Sequence, residues 1–172
     1  RKAANLMPAS PKSRAAAVSV VSNTALVLLK LVVGFLSGSV SIISEAIHSA
    51  NDLLAALIAW VSVSTSDKAA DAEHPYGHGK IEAISGAVEA GLIVVAAVWI
   101  VVAAVKKIAH GGEVEHLGIG TAVMVVSVIV NIFVSRYLFR VARREDSLAL
   151  EADAHHLSTD VYTSLGVAVG LA

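Results

Sequence analysis

The 172-residue chain contains no cysteine. That absence removes disulfides, thiolate metal sites, CxxC redox chemistry and a cysteine nucleophile, so any chemistry must use oxygen and imidazole. Charge is scarce too: Asp, Glu, Lys and Arg make up 16% of the residues, against about 25% in an ordinary soluble domain. Thirteen basic and fourteen acidic residues leave a formal net charge of -1. Without a basic excess for phosphate contacts, nucleic acid is set aside as a partner. The chain shows no low-complexity segment and no internal repeat. The residues around Pro8 and Pro11 lack the apolar core and small-residue cleavage site of a removable signal peptide.

Apolar residues, at 56%, are abundant and fall into long runs separated by short polar connectors. A helix needs roughly 20 mainly apolar residues to cross a hydrocarbon core about 30 Å thick, and five segments reach that length, at about 15–38, 39–64, 82–108, 116–139 and 148–172. The expected fold is therefore all-α, a polytopic membrane helix bundle in which residues 1–172 form one transmembrane domain. The first segment ends in Gly34-x-x-x-Gly38, a spacing that suits close helix packing. The third and fourth are the cleanest lipid-facing candidates. With no initial Met and an apolar end from Gly166 to Ala172, the chain reads as a fragment of a longer protein.

Positive residues accumulate on the cytoplasmic side of short loops. Arg1, Lys2, Lys12, Arg14, Lys68, Lys80, Arg136, Arg140, Arg143 and Arg144 fall on one side of the five segments, and only Lys106 and Lys107 on the other. The N-terminus is expected in the cytoplasm, with connectors 65–81 and 136–147 on the same side. Trp60 and Tyr137 fit interfacial anchors.

Ionisable residues inside spanning helices are costly and point by default to ion or proton pathways. The second segment carries Glu45, His48 and Asp52, and the fifth carries Asp153, His155, His156 and Asp160. Both contain His-x-x-x-Asp, and residues four apart on a helix share a face. Each motif lies near the middle of its segment, approached from opposite ends, so antiparallel contact would converge two imidazoles and two carboxylates. His48, Asp52, His156 and Asp160 are thus candidate ligands for a tetrahedral cation such as Zn2+, because Mg2+ and Ca2+ prefer all-oxygen sets. A single such motif is equally well read as an interhelical hydrogen bond; two at matched depth favour metal. Glu45 and Asp153 continue the same faces three residues earlier, either steering the ligands from behind or solvated near a vestibule, the second reading being preferred.

The connector residues Asp71, His74 and His78 offer one carboxylate and two imidazoles within eight residues, with Pro75, Gly77 and Gly79 allowing the backbone to fold around a point. They form either a second metal site or a solvated loop. His110, Glu113, Glu115 and His116 read as a wet outer loop. Glu82 is expected to be solvated, and Glu89 to face the bundle toward Lys30 or Asn23. Ser127, Asn131 and Ser135 are expected in interhelical hydrogen bonds.

Three blocks carry a family resemblance: Ser44-Glu45-Ala46-Ile47-His48-Ser49-Ala50-Asn51-Asp52, His74-Pro75-Tyr76-Gly77-His78-Gly79-Lys80-Ile81-Glu82 and Ala152-Asp153-Ala154-His155-His156-Leu157-Ser158-Thr159-Asp160. In this order and placement the chain resembles the cation diffusion facilitators. The resemblance implies a homodimeric exporter that exchanges divalent metal ions for protons by alternating access. It places the transport site on His48, Asp52, His156 and Asp160 and a loop site on Asp71, His74 and His78. Histidine at the first position of the second-segment pair resembles the zinc-preferring members. It also implies a sixth span and a C-terminal cytoplasmic metal-binding domain, neither of which is in this chain.

Competition between protons and metal for imidazole agrees with proton exchange. The expected substrate is Zn2+, with Cd2+, Fe2+, Co2+ or Mn2+ as alternatives, in a bilayer resembling the bacterial inner membrane. The rival readings are a cation channel selecting ions by a charged ring and a membrane subunit that binds metal only for stability. An enzyme is not expected, since no activated nucleophile is evident and four protein ligands leave no open position.

Overall fold

A computed structural model describes residues 10–110 and 119–170. Five helices follow one another: α1 (Pro11–Ser37), α2 (Val40–Ser66), α3 (Lys80–His110), α4 (Ile119–Glu145) and α5 (Leu148–Gly170). Among the described residues α1 to α4 each contain a stretch long and apolar enough to cross a membrane. A 27-residue helix such as α1 is about 40 Å long at 1.5 Å per residue, more than a hydrocarbon core requires.

Local chemistry sets the helix ends. Ser10 caps α1 by accepting from the Ser13 amide at 3.1 Å, and Pro11 sits at the first turn, where its missing N–H costs nothing. Gly38 ends α1 in the left-handed region at φ 67° and Ser39 caps α2. This makes the α1–α2 connection a tight hairpin. Asp146 takes the same role after α4, at φ 52°, with the Ser147 amide donating back to the Ala142 carbonyl at 3.1 Å. Ser147 then caps α5 through its hydroxyl, 3.5 Å from the Leu150 amide.

Small residues let the helices approach. A Cβ on Gly34 would lie 2.9 Å from Ile43 Cγ1 and 3.3 Å from the Ile43 amide nitrogen. The Gly34 half of the small-x-x-x-small expectation therefore holds, whereas Gly38 meets nothing within 4 Å and works as a cap. The buried core runs through Ala15, Ala16, Val63, Leu138, Leu150 and Leu157, with Ala142, Ala149 and Ala154. α5 packs against α2, α3 and α4, and α1 packs against α2 and α4. α3 leaves Val94, Val95, Val98, Val101, Val102 and Val105 exposed, and α4 exposes Val125, Val126, Ile129 and Phe133. α1 exposes Val21, Leu28, Val32, Phe35 and Leu36 as well, so exposed apolar faces do not single out α3 and α4.

Three expectations change. Ser127 and Ser135 donate to their own helix, to the Val123 carbonyl at 3.0 Å and the Ile132 carbonyl at 3.3 Å, because the carbonyl one turn back is always within reach of a helical hydroxyl. Glu82 is buried at 6% exposure rather than solvated. It takes hydrogen bonds from Lys12 (2.7 Å), Ser66 (2.5 Å) and Ser147 (2.5 Å), so partners drawn from α1, α2 and the cap of α5 replace its water. Glu89 does face the bundle, but Lys30 is not its partner: the ammonium bonds Ser49 at 2.8 Å and Glu45 at 3.3 Å. Glu113, Glu115 and His116, and the side chain of His110, lie outside the described residues.

Candidate metal centre

Four residues of two helices converge beside the core. α2 contributes His48 and Asp52, one turn apart, and α5 contributes His156 and Asp160 in the same spacing. Each histidine contacts the carboxylate of the opposite helix rather than its own. His156 Nε2 lies 3.2 Å from Asp52 Oδ1, and His48 Nε2 lies 3.7 Å from Asp160 Oδ1. One ligand atom each from His48, Asp52 and Asp160 fit within 4.8 Å of one another, and His156 adjoins this set through Asp52.

Ligand bonds of about 2.0–2.1 Å place the corners of a tetrahedral zinc site about 3.3 Å apart. The two cross-helix separations bracket that value. Burial is graded: Asp52 and His156 are 4% and 6% exposed, whereas Asp160 and His48 are partly open. The set thus has a closed inner half and an accessible outer half, as a site needs if ions enter and leave.

The flanking residues divide. Glu45 is held half-exposed by Lys30, compatible with a vestibule. Asp153 is fully buried, so the vestibule reading fails for it: α3, packed on α5, covers it from water. His155 points away, exposed and edge-on to Phe139 with ring centroids 4.8 Å apart. It borders a cavity of about 620 Å³ lined chiefly by the arginines of α4, apart from the acidic set.

The connector between α2 and α3 folds around Asp71. Its Oδ1 accepts from the amides of Glu73 at 3.0 Å and His74 at 2.7 Å. His74 Nδ1 lies 3.2 Å from Oδ1 and His78 Nε2 lies 3.4 Å from Oδ2. Gly77, at φ 82°, allows the reversal that brings the two imidazoles into a tilted contact with centroids 4.5 Å apart. The three ligand atoms converge within 4.8 Å. The His74 amide and ring, with the Glu73 amide, hold the Asp71 carboxyl below its ordinary value. The buried His78 Nδ1 has no hydrogen-bond partner.

A helical membrane bundle that lines up imidazoles and carboxylates from two helices in its interior defines a class of cation-handling membrane proteins. Within that class the chain belongs to the cation efflux family, whose transmembrane-domain model matches residues 16–172. It is 36% identical over 157 residues to the uncharacterized transporter sll1263 of Synechocystis sp., covering 91% of this chain and 51% of that protein. It is 34% identical over 145 residues to the magnetosome protein MamB of Paramagnetospirillum magneticum, covering 84% and 49%. It is 27% identical over 158 residues to the manganese efflux system protein MneP of Bacillus subtilis, covering 92% and 53%. The chain spans about half the length of the curated relatives it matches.

Proposed function

We propose that this chain is the membrane domain of a proton-coupled exporter of divalent transition-metal ions, with Zn2+ as the favoured substrate. His48, Asp52, His156 and Asp160 hold the ion in mid-membrane, and α5 is the fifth span. The observation that carries this reading is the cross-pairing of α2 with α5, His156 to Asp52 and His48 to Asp160. Two nitrogens and two carboxylates suit zinc geometrically, while MneP, a manganese efflux protein by name, keeps Mn2+ as the main competitor.

The pairing also suggests the exchange. Without metal, a protonated imidazole can pair with the carboxylate across the helix interface. A cation replaces the proton and keeps the helices together. Protons from the outer side then release the ion once the helices rearrange. The N-terminus lies in the cytoplasm of a bacterial inner membrane, two copies form the working dimer, and Asp71, His74 and His78 hold a second ion on the cytoplasmic side. No enzymatic step is assigned.

The test is transport by the full-length protein in liposomes. A pH gradient should drive Zn2+ against its own gradient, and His156→Ala or Asp160→Ala should abolish that flux. Wild-type flux in either variant overturns the proposal, and flux that no proton gradient can drive uphill identifies a channel.

A further inference from the structure

One side of α4 changes character along its length. At about 100° per residue, Val125, Val126, Ile129 and Phe133 fall within the same arc, about 100° wide, as Arg136, Arg140, Arg143 and Arg144. All eight are exposed. The stripe is apolar as far as Phe133 and cationic from Arg136 onward, a switch made within one helical turn. It therefore has the polarity of a lipid laid lengthwise, tail first and then headgroup.

Beside the cationic part, α4 and α5 leave a cavity of about 620 Å³ lined by these four arginines with Glu151 and His155. Small-molecule sites span about 300–1,000 Å³. The sharp turn at Asp146 and Ser147 sends α5 back along α4, which is why Glu151 and His155, one turn apart, form the opposite wall. Four guanidinium groups meet one carboxylate there, and among the described residues none of the four is ion-paired. The planar guanidinium fork matches the oxygens of a phosphate, to which it can donate two parallel hydrogen bonds.

We propose that the α4–α5 cavity binds the phosphate headgroup of an anionic glycerophospholipid, with an acyl chain lying over Val126, Ile129 and Phe133. A free phosphate would use the arginines alone, whereas the continuous stripe offers a surface to the tail as well. The headgroup bridges α4 and the first turns of α5, so a bound lipid braces the helix that carries His156 and Asp160. Basic pockets between membrane helices suit anionic headgroups, which gather in the cytoplasmic leaflet. The site needs neither metal nor proton exchange; it takes from the reading above only the membrane setting, and its leaflet follows from the cytoplasmic N-terminus.

The experiment uses the metal-free full-length protein in neutral detergent, titrated with phosphatidylglycerol or with phosphatidylcholine of the same acyl chains. Native mass spectrometry reads the bound lipid, and thermal unfolding reads the bracing. Phosphatidylglycerol should bind and raise the unfolding midpoint, and phosphatidylcholine should do neither. Arg140→Gln with Arg143→Gln should weaken phosphatidylglycerol binding at least tenfold, at about fivefold per charge near the membrane surface. Arg14→Gln with Lys68→Gln removes the same charge from exposed positions outside the cavity and should weaken it less than threefold. Equal losses in the two double variants, or equal binding of phosphatidylcholine, overturn the proposal. Inorganic phosphate that raises the midpoint as far as phosphatidylglycerol does would make this a soluble-anion site and overturn it too. If the wild type retains no phosphatidylglycerol, the lipid is excluded, and a second copy or a protein segment outside this chain becomes the occupant. Failure of metal transport in liposomes would leave every one of these readouts standing.

Discussion

His156 Nε2 on α5 stands 3.2 Å from Asp52 Oδ1 on α2, joining residues 104 positions apart across the centre of the bundle. The contact links the two helices whose central polar residues are hardest to reconcile with a lipid-facing role. Removing either partner should remove a ligand and also leave the other buried and unpaired. Asp52→Ala should therefore weaken Zn2+ binding by more than the roughly 10–100-fold typical of losing a supporting group behind a ligand. Calorimetric titration of the full-length protein measures it; a loss below tenfold would remove Asp52 from the ligand set.

The pairing was legible in the sequence because two His-x-x-x-Asp motifs at matched depth in antiparallel helices can meet in only one register. What the sequence could not show was the exchange of partners, each histidine taking the carboxylate of the other helix, since that depends on helix rotation. For a related reason, the partner of Glu89 could not be chosen between Lys30 and Asn23, both of which stayed open. The Lys30 side chain is long enough to reach several polar groups, and the α1–α2 hairpin at Gly38 decides in favour of Glu45 and Ser49. Glu82 looked solvated because it opens a helix near the membrane edge. Its partners Lys12, Ser66 and Ser147 are 70, 16 and 65 residues away in the chain, beyond any local pattern.

Glu82 ties together the ends of four helices, and its loss should be felt in stability before chemistry. Glu82→Ala strands Ser147, which is 2% exposed, and leaves Lys12 with Asp67 at 3.2 Å as its remaining acid. Hydrogen bonds to charged groups contribute about 1.5–3 kcal/mol each and are not additive, so a total loss of about 2–4 kcal/mol is expected. Thermal unfolding in detergent should show a lower midpoint, and the Lys12→Ala, Glu82→Ala double variant should lose less than the sum of the single losses.

The connector has its own pH signature. Three contacts from His74 and Glu73 hold Asp71 ionised below its ordinary range, so its folded value is depressed. The stabilisation it lends the turn is fully present above the unfolded aspartate value and disappears as pH falls through the lower folded value. Amide exchange of Glu73 and His74, corrected for the intrinsic pH dependence of exchange, should stay protected through neutral and mildly acidic pH and lose protection only in strong acid. Asp71→Asn should abolish that acid step. An acid step that persists in the variant would assign the turn to other contacts.

Metal at the connector should depend on the same carboxylate. Asp71 presents one oxygen toward His74 and the other toward His78, so Asp71→Ala removes the atom group around which both imidazoles are arranged. With His48, Asp52, His156 and Asp160 intact, the full-length protein should lose one bound Zn2+ per chain and keep the other. Asp52→Ala should do the converse, keeping the connector ion. Equilibrium dialysis with elemental analysis counts the ions, and a count unchanged by Asp71→Ala would exclude the connector as a site.

Close approach of α1 and α2 rests on the missing side chain of Gly34, and a substitution there probes how the site is positioned. A Cβ at this position would press on Ile43 Cγ1 at 2.9 Å and on the Ile43 backbone nitrogen at 3.3 Å. The Ile43 side chain can rotate away, but the backbone of α2 can yield only by shifting the helix. Gly34→Ala should therefore already destabilise by pressing on α2, and Gly34→Val, which adds two further carbons, should cost more, about 1–3 kcal/mol through overpacking. Since α2 also carries His48 and Asp52, a shifted α2 would misplace half of the candidate ligands relative to α5. Gly34→Val should accordingly weaken Zn2+ binding in protein that is still folded, whereas Gly38→Ala, strained at φ 67° but touching nothing within 4 Å, should lower the thermal midpoint and leave affinity unchanged. Equal affinity losses in the two variants would show that the hairpin, rather than the α1–α2 spacing, sets the site.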